Sequence, residues 1–193
     1  VEKQQKDMKK RIQETALKLF AKQGYEKTSL REIAERLDIT KAAIYYHFQS
    51  KEDILRSIAG DIFGAMEELL AWAESEPATE ERRREFLQRF ADLSFARLRQ
   101  FIPFAIANLN LLQSLQLPKD RAKAPSPIDR IRALFVEPGS GVEDEIRSNL
   151  ALMVVFLGAS RLGGLSNVEA PPEQIERIVV SAAIGLLPPS RRG

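Results

Sequence analysis

The sequence predicts an all-α protein, on three observations. Apolar residues recur at three- and four-residue spacing along almost the whole chain, no segment alternates apolar and polar residues as a strand would, and capping or helix-stopping residues bound the periodic stretches. About nine helices are expected, without a repeat at solenoid spacing. At 193 residues, 44% hydrophobic and 29% charged, the chain has an ordinary globular balance.

Met8, Ile12, Ala16, Leu19 and Phe20 form the stripe of a first helix stopped by Gly24. Ser29 followed by Glu32 reads as a capping box opening a short helix whose apolar face carries Leu30, Ile33, Ala34 and Leu37. Thr40 caps a third short helix, and Ser50 with Asp53 caps a fourth, expected over 51–73 and roughly 34 Å long. Gly60 and Gly64 inside it each weaken it by about 1 kcal/mol relative to Ala, a potential bend point. A break at 75–79 follows, where Thr79 caps a helix with Glu80 and Glu81 in its first turn and Phe86, Leu87, Phe90, Leu93 and Leu98 as apolar positions. The uncharged stretch 101–117 is expected to be a separate helix ending before Pro118, and residues 118–127, with three prolines and four charges, a mobile loop. Ser126 and Pro127 restart a short helix that the Pro138 to Gly141 run ends. Two last helices are expected, over about 143–162 and 172–187. They are rich in small residues: Gly158, Ala159 and Ser160 in one, Ala182, Ala183 and Gly185 in the other.

Composition removes several classes of chemistry. With no cysteine, disulfides, thiolate zinc sites and Cys nucleophiles are excluded, and with one histidine so is a multi-His metal cluster. No paired carboxylates, Gly-rich phosphate loop or metal spacing stands out, so neither enzyme activity nor a cofactor is expected. The longest uncharged run holds Pro103, Asn108, Asn110, Gln113 and Gln116, which argues against a membrane span. The first residues lack the apolar stretch of a signal peptide, and a soluble, cytoplasmic protein is expected. The net charge of +2 conceals an asymmetry, since residues 1–60 hold 13 Lys+Arg against 9 Asp+Glu, including nine of the eleven lysines, while the remainder is slightly acidic. Either Lys and Arg usage drifts along the chain, or the basic head meets an anionic polymer.

Two short helices joined by a turn near residues 37–39, set between a first helix and a long fourth, have the anatomy of a helix-turn-helix. In the third helix, with Ile44 facing the core, Phe48 and Thr40 lie about 40° to either side, while Ala42 and Tyr46 fall on the opposite face and Tyr45 on the flank. A face of small alanines, tyrosines and Lys41 suits close approach to a duplex, with hydroxyls and ammonium for phosphates and base edges. Lys51, in the first turn of the fourth helix, adds charge where backbone N–H groups attract phosphate. The alternative is that the tyrosines are partly buried core aromatics and Lys51 a solvated charge.

The stretch from Thr28 to Leu55, with its Ile44-Tyr-Tyr-His-Phe48 run followed by Lys51 and Glu52, resembles the DNA-binding domain of the TetR family of bacterial transcriptional regulators. With Phe20, Gly24, Ile33 and Ala34 the resemblance covers about the first 60 residues. It implies a helix-turn-helix DNA-binding domain over 1–50 and an effector-binding and dimerisation domain over 51–193, linked by the helix at 51–73. It further implies a homodimer on a near-palindromic double-stranded operator, and release of DNA by a small molecule. Carried onto matching positions, Ser29 and Arg31 would contact DNA from the second helix, Lys41, Ala42, Ala43 and Tyr45 would face bases and adjacent backbone, and Thr40, Tyr46, His47 and Lys51 would grip or orient phosphate. Two residues depart from the pattern: Asp38 stands where glycine is usual and Ala43 where it is frequent. Asp tolerates left-handed backbone, so the fold is expected to survive.

For the body, Phe63, Met66, Trp72, Phe90, Phe104, Asn108 and Phe156 are candidate lining for a mostly apolar pocket taking a hydrophobic or amphipathic effector; ordinary core is the alternative for each. Leu150, Val154 and Leu157, with the stripe Ile175, Ile178, Val179, Ala182 and Leu186, are candidates for an isologous dimer contact or for the protomer's own core. Effector binding would move the fourth helix and so change the spacing of the recognition helices. A regulator without a small ligand, whether activator or partner-gated, and a helical module that does not bind DNA remain alternatives.

Overall fold

A computed structural model describes residues 2–114, 125–136, 139–160 and 168–188, which are helical with short connections. The elements are α1 (Glu2–Gln23), α2 (Leu30–Leu37), α3 (Lys41–His47), α4 (Lys51–Glu74), α5 (Glu80–Leu93), a π-helical turn (Ser94–Leu98), α6 (Arg99–Ala107), α7 (Leu109–Ser114), α8 (Pro127–Phe135), α9 (Val142–Ser160) and α10 (Pro172–Leu186). With α5, the π turn and α6 taken as one run, these make the nine helices expected. Segment 118–124 of the expected loop lies outside the described residues, as do 115–117, Pro138 and 161–162 at expected helix ends.

Most boundaries follow from local chemistry. Gly24 takes φ +94° after α1, a conformation that costs glycine little. Thr79 Oγ1 accepts from Arg82 N at 3.2 Å, Ser50 Oγ accepts from Asp53 N at 3.1 Å, and Ser126 with Asp129 forms a reciprocal capping box before Pro127. One boundary is corrected. No break separates α5 from α6, because a wider π turn, closed by Arg99 N on Ser94 O, carries the helix through. It ends about one turn before Pro103 of α6, whose missing N–H and ring weaken the turn before it. The run ends instead at Asn108, whose side-chain amide donates to Phe104 O at 2.8 Å.

The chain separates into two compact units that part inside α4, after Phe63. The first comprises residues 1–63 and 100–119. Its core gathers Ile12, Ala16 and Phe20 of α1, Ile33 and Ala34 of α2, Ile44 and Phe48 of α3, Ile54, Leu55 and Ile58 of α4, and Phe101, Ile102 and Phe104 of α6. Phe20 is the hub, its ring 5.0 Å from Tyr25 and 5.8 Å from Phe104. Gln13, buried on α1, donates to Ser57 Oγ at 2.9 Å and Asp61 Oδ2 at 2.8 Å on α4, which gives both of its amide hydrogens a partner.

The second unit packs Leu69, Leu70 and Ala73 of α4 with Phe86, Leu87 and Phe90 of α5, Ile131 and Phe135 of α8, Val155 of α9, and Val179, Val180 and Ala183 of α10. Gly158 on α9 lets α10 approach closely, since a Cβ there would stand 2.6 Å from Val179 Cγ2. Arg82 closes the end of α4 by donating to the carbonyls of Trp72 and Ala73. Arg130 on α8 grips α4 at two turns, reaching Glu74 at 2.7 and 2.6 Å and Glu67 at 2.8 Å.

Hydrogen bonding from Arg130 holds the Glu74 carboxyl below its usual range. A lowered folded-state value means that this stabilisation is present above the ordinary carboxylate pKa and is lost as pH falls through the folded value. Discounting for solvent screening, Arg130→Met is expected to cost about 1 kcal/mol near neutral pH, with a gap that narrows as pH falls below the ordinary carboxylate pKa of about 4, as read by denaturant unfolding.

Candidate nucleic-acid interface

α3 has seven residues and is held in place from both ends and from beneath. Thr40 Oγ1 accepts from Ala43 N at 3.1 Å, Phe48 N donates to Ile44 O at 2.9 Å, and the side chains of Ile44 and Phe48 are buried. The turn leading into it depends on Asp38, which takes φ 54° and ψ 46° and is the one non-glycine residue with positive φ among the described residues. That conformation lets Asp38 N reach Glu35 O and Ile39 N reach Ala34 O at 3.0 Å, closing α2 and turning the chain. At the start of α2, Ser29 Oγ accepts from Glu32 N at 3.1 Å, but the Glu32 carboxylate accepts from Gln23 Nε2 at 2.8 Å, so the capping interaction includes α1.

With Ile44 and Phe48 inside, Lys41, Ala42, Tyr45 and Tyr46 are exposed, and Ala43 and His47 half-buried. Tyr45 is 42% and Tyr46 69% exposed, so neither is a core aromatic. Thr40, expected near the core face, is exposed because it caps the helix from outside it. The Lys41 ammonium stands 5.4 Å from the Tyr45 ring centre, and the Tyr46 and His47 rings meet edge to face at 5.1 Å. Ser29 and Thr40 spend an oxygen lone pair on their own helices, which leaves each hydroxyl hydrogen to donate outward. Arg31 pairs with Glu35 at 2.7 Å in full solvent exposure, a contact weak enough to yield to a phosphate.

Lys51 has a partner within the chain. Its ammonium donates to Tyr25 O at 2.9 Å and lies 4.4 Å from the Tyr25 ring centre, so it fastens the start of α4 to the turn after α1. Tyr25, whose phenol is pushed well above its ordinary value by burial, is a site residue that the sequence did not single out. The contact spans 26 positions, and no local pattern signals it.

Residues 12–58 match the family model described as bacterial regulatory proteins, tetR family. The solved TetR-family transcriptional regulator PfmR of Thermus thermophilus is 30% identical, with 91% of this chain and 97% of that one covered at a TM-score of 0.54. The chain belongs to the TetR family. YerO of Bacillus subtilis (strain 168), an HTH-type transcriptional regulator, is 26% identical over 185 residues, 90% of this chain; the chain spans 62% of YerO's length. AibR, solved in complex with isovaleryl coenzyme A and operator DNA, shares the fold at a TM-score of 0.57 and 21% identity, over 93% of this chain and 97% of AibR.

In this TetR-family chain the remaining candidate residues divide. Within the first unit, Phe104 is buried against Phe20, Asn108 turns to its own helix, and Phe63 is exposed. Within the second, Phe90 is buried and stacked on Phe86 at 6.0 Å, Met66 and Trp72 border the same core, and Phe156 is 37% exposed. The guanidinium groups of Arg82 and Arg89 stand 4.5 and 3.9 Å from the Trp72 ring centre, and Trp72 and Arg89 line a cleft of about 330 Å³ with Glu68 and Asp92. Phe104 and Phe90 thus serve the core, since aromatic partners occupy their faces. Among the interface candidates, Val179 turns inward against Gly158, and Val154, Ile175 and Leu186 pack at the edge of the protomer's core. Leu150, Ile178 and Ala182 point outward, and Leu157 is half-buried.

Among the described residues no group of three or more His, Cys, Asp or Glu is placed to hold a metal ion, and no helix is long and apolar enough to cross a membrane. Asp38 bears the left-handed backbone that glycine adopts freely. Asp38→Gly is expected to raise stability by up to about 1 kcal/mol and Asp38→Val to lower it by at least as much, measured as denaturation midpoints.

Proposed function

We propose that this TetR-family transcriptional regulator binds a near-palindromic operator as a homodimer and represses until a small hydrophobic or amphipathic effector releases it. The observation that carries the DNA reading is the outward face of α3, where Lys41, Ala42, Tyr45 and Tyr46 are exposed over a buried Ile44 and Phe48. Small Ala42 allows the helix backbone to approach a groove, the tyrosine rings suit thymine methyls, and Lys41 suits phosphate or guanine.

Support for a dimer comes from α9 and α10. Ile146, Leu150 and Met153 recur at helical spacing on α9, and Met153 and Ile178 are 53% and 59% exposed. This continuous apolar stripe suits a self-complementary contact with a second copy. The effector reading draws on AibR, whose structure joins a coenzyme A thioester and operator DNA on this fold. In the mechanism, effector binding shifts α4. Because Lys51 fastens the start of α4 to the Tyr25 carbonyl, the shift carries α3 with it and alters the spacing of the two recognition helices, on which half-site reading depends.

Selection of bound sequences from random duplexes tests the DNA reading. Tyr45→Ala is expected to change the recovered sequence, whereas Lys41→Ala weakens all duplexes and flattens the salt slope by about 0.9 per lost phosphate contact. Recovery of no enriched sequence by the native chain would refute operator binding. For the dimer, Ile178→Glu is expected to yield a folded monomer by sedimentation that binds a full operator at least tenfold more weakly. A dimer of undiminished affinity would rule this face out.

A further inference from the structure

The amino-terminal turns of α1 reach the recognition helix. Gln5 Nε2 donates to the Tyr46 hydroxyl oxygen across 41 positions of sequence. One turn further along the same face, Lys9 Nζ stands 5.9 Å from the ring centre of Phe48, the residue that closes α3. Lys9 is exposed. Both residues precede the segment matched by the family model, which begins at residue 12, and neither belongs to the helix-turn-helix itself.

The chemistry of the Gln5 contact has a direction. An amide N–H given to the phenol oxygen occupies one of its lone pairs, which leaves the Tyr46 O–H as a donor with its ring fixed in place. A phosphate oxygen is an acceptor only, so this polarity is the one a duplex backbone needs. Lys9 adds a positive charge at the same end of α3, where no acidic side chain is shown in contact with its ammonium, and its long stem gives it reach. The first ten residues hold Lys3, Lys6, Lys9 and Lys10 against Glu2 and Asp7, with Lys10 4.0 Å from Glu14, and this excess of lysine keeps the local field positive.

We infer that the start of α1 is a second DNA-contacting edge, in which Gln5 positions the Tyr46 hydroxyl as a phosphate donor and Lys9 itself contacts phosphate, an inference that rests on the DNA-binding function proposed above. Gln5 acts through Tyr46, and Lys9 acts directly. The edge extends the protein's hold on the duplex backbone beyond the bases that α3 faces, and it contributes affinity for any sequence.

A double-mutant cycle with a salt titration tests both roles on the full chain, using a mixed-sequence duplex. Gln5→Ala is expected to weaken binding about fivefold, as loss of one hydrogen bond would, in the native background and to have no effect in Tyr46→Phe. Equal losses in the two backgrounds would overturn the positioning role. Lys9→Ala is expected to lower the slope of log affinity against log salt by about 0.9 per bound subunit, with an unchanged melting temperature; an unchanged slope overturns the phosphate contact. If the native chain binds no duplex at low salt, the DNA-binding function itself fails and the inference falls with it, an outcome distinct from a native chain that binds while its variants match it.

Discussion

The burial of Ile44 and Phe48 is the constraint on which the DNA-facing surface depends. A helix of seven residues has no independent stability in water, because nucleation costs more than so few hydrogen bonds return. α3 exists because those two side chains enter a core supplied by α1, α2, α4 and α6 and because Thr40 and Phe48 satisfy its ends. The same burial fixes rotation about the helix axis. With period 3.6, seating Ile44 inward leaves Ala42 and Tyr46 nowhere to go but outward, so the exposed face is a by-product of the packed one.

A second dependency runs through Tyr25. Its ring packs on Phe20, its carbonyl receives the Lys51 ammonium, and the cation also lies against the ring. One residue in the turn after α1 thereby joins the helix-turn-helix to the first turn of α4, and α4 then runs without interruption to Glu74. Gly60 and Gly64 lie on that helix, and a side chain at either would meet open space, so no neighbour's close approach requires glycine there. The other end of α4 is held by Arg82 on its last carbonyls and by Arg130 on Glu67 and Glu74.

Much of this could be read from the sequence, and the reason is locality. The starts of α2, α3, α5 and α8 follow from Ser29, Thr40, Thr79 and Ser126, whose capping bonds span three residues. The rotation of α3 follows from one apolar pair. What escaped was set by contacts distant in sequence. The Lys51 contact with Tyr25 has no local signal because its partner sits 26 residues away, and Glu32 looked like a full capping partner because no local pattern ties it to Gln23. The break expected near residue 100 failed because a π turn has no compositional signature. Phe104 and Phe90 looked like pocket residues for the same reason that they fill a core, since aromatic bulk alone does not distinguish the two uses.

Gly158 and Val179 illustrate how tightly two helices can constrain each other's history. The space a methyl group would need at position 158 is already filled by the Val179 side chain, so position 158 cannot enlarge while Val179 stays as it is. Substitutions there must come in pairs, a larger residue on α9 tolerated only after a smaller one on α10.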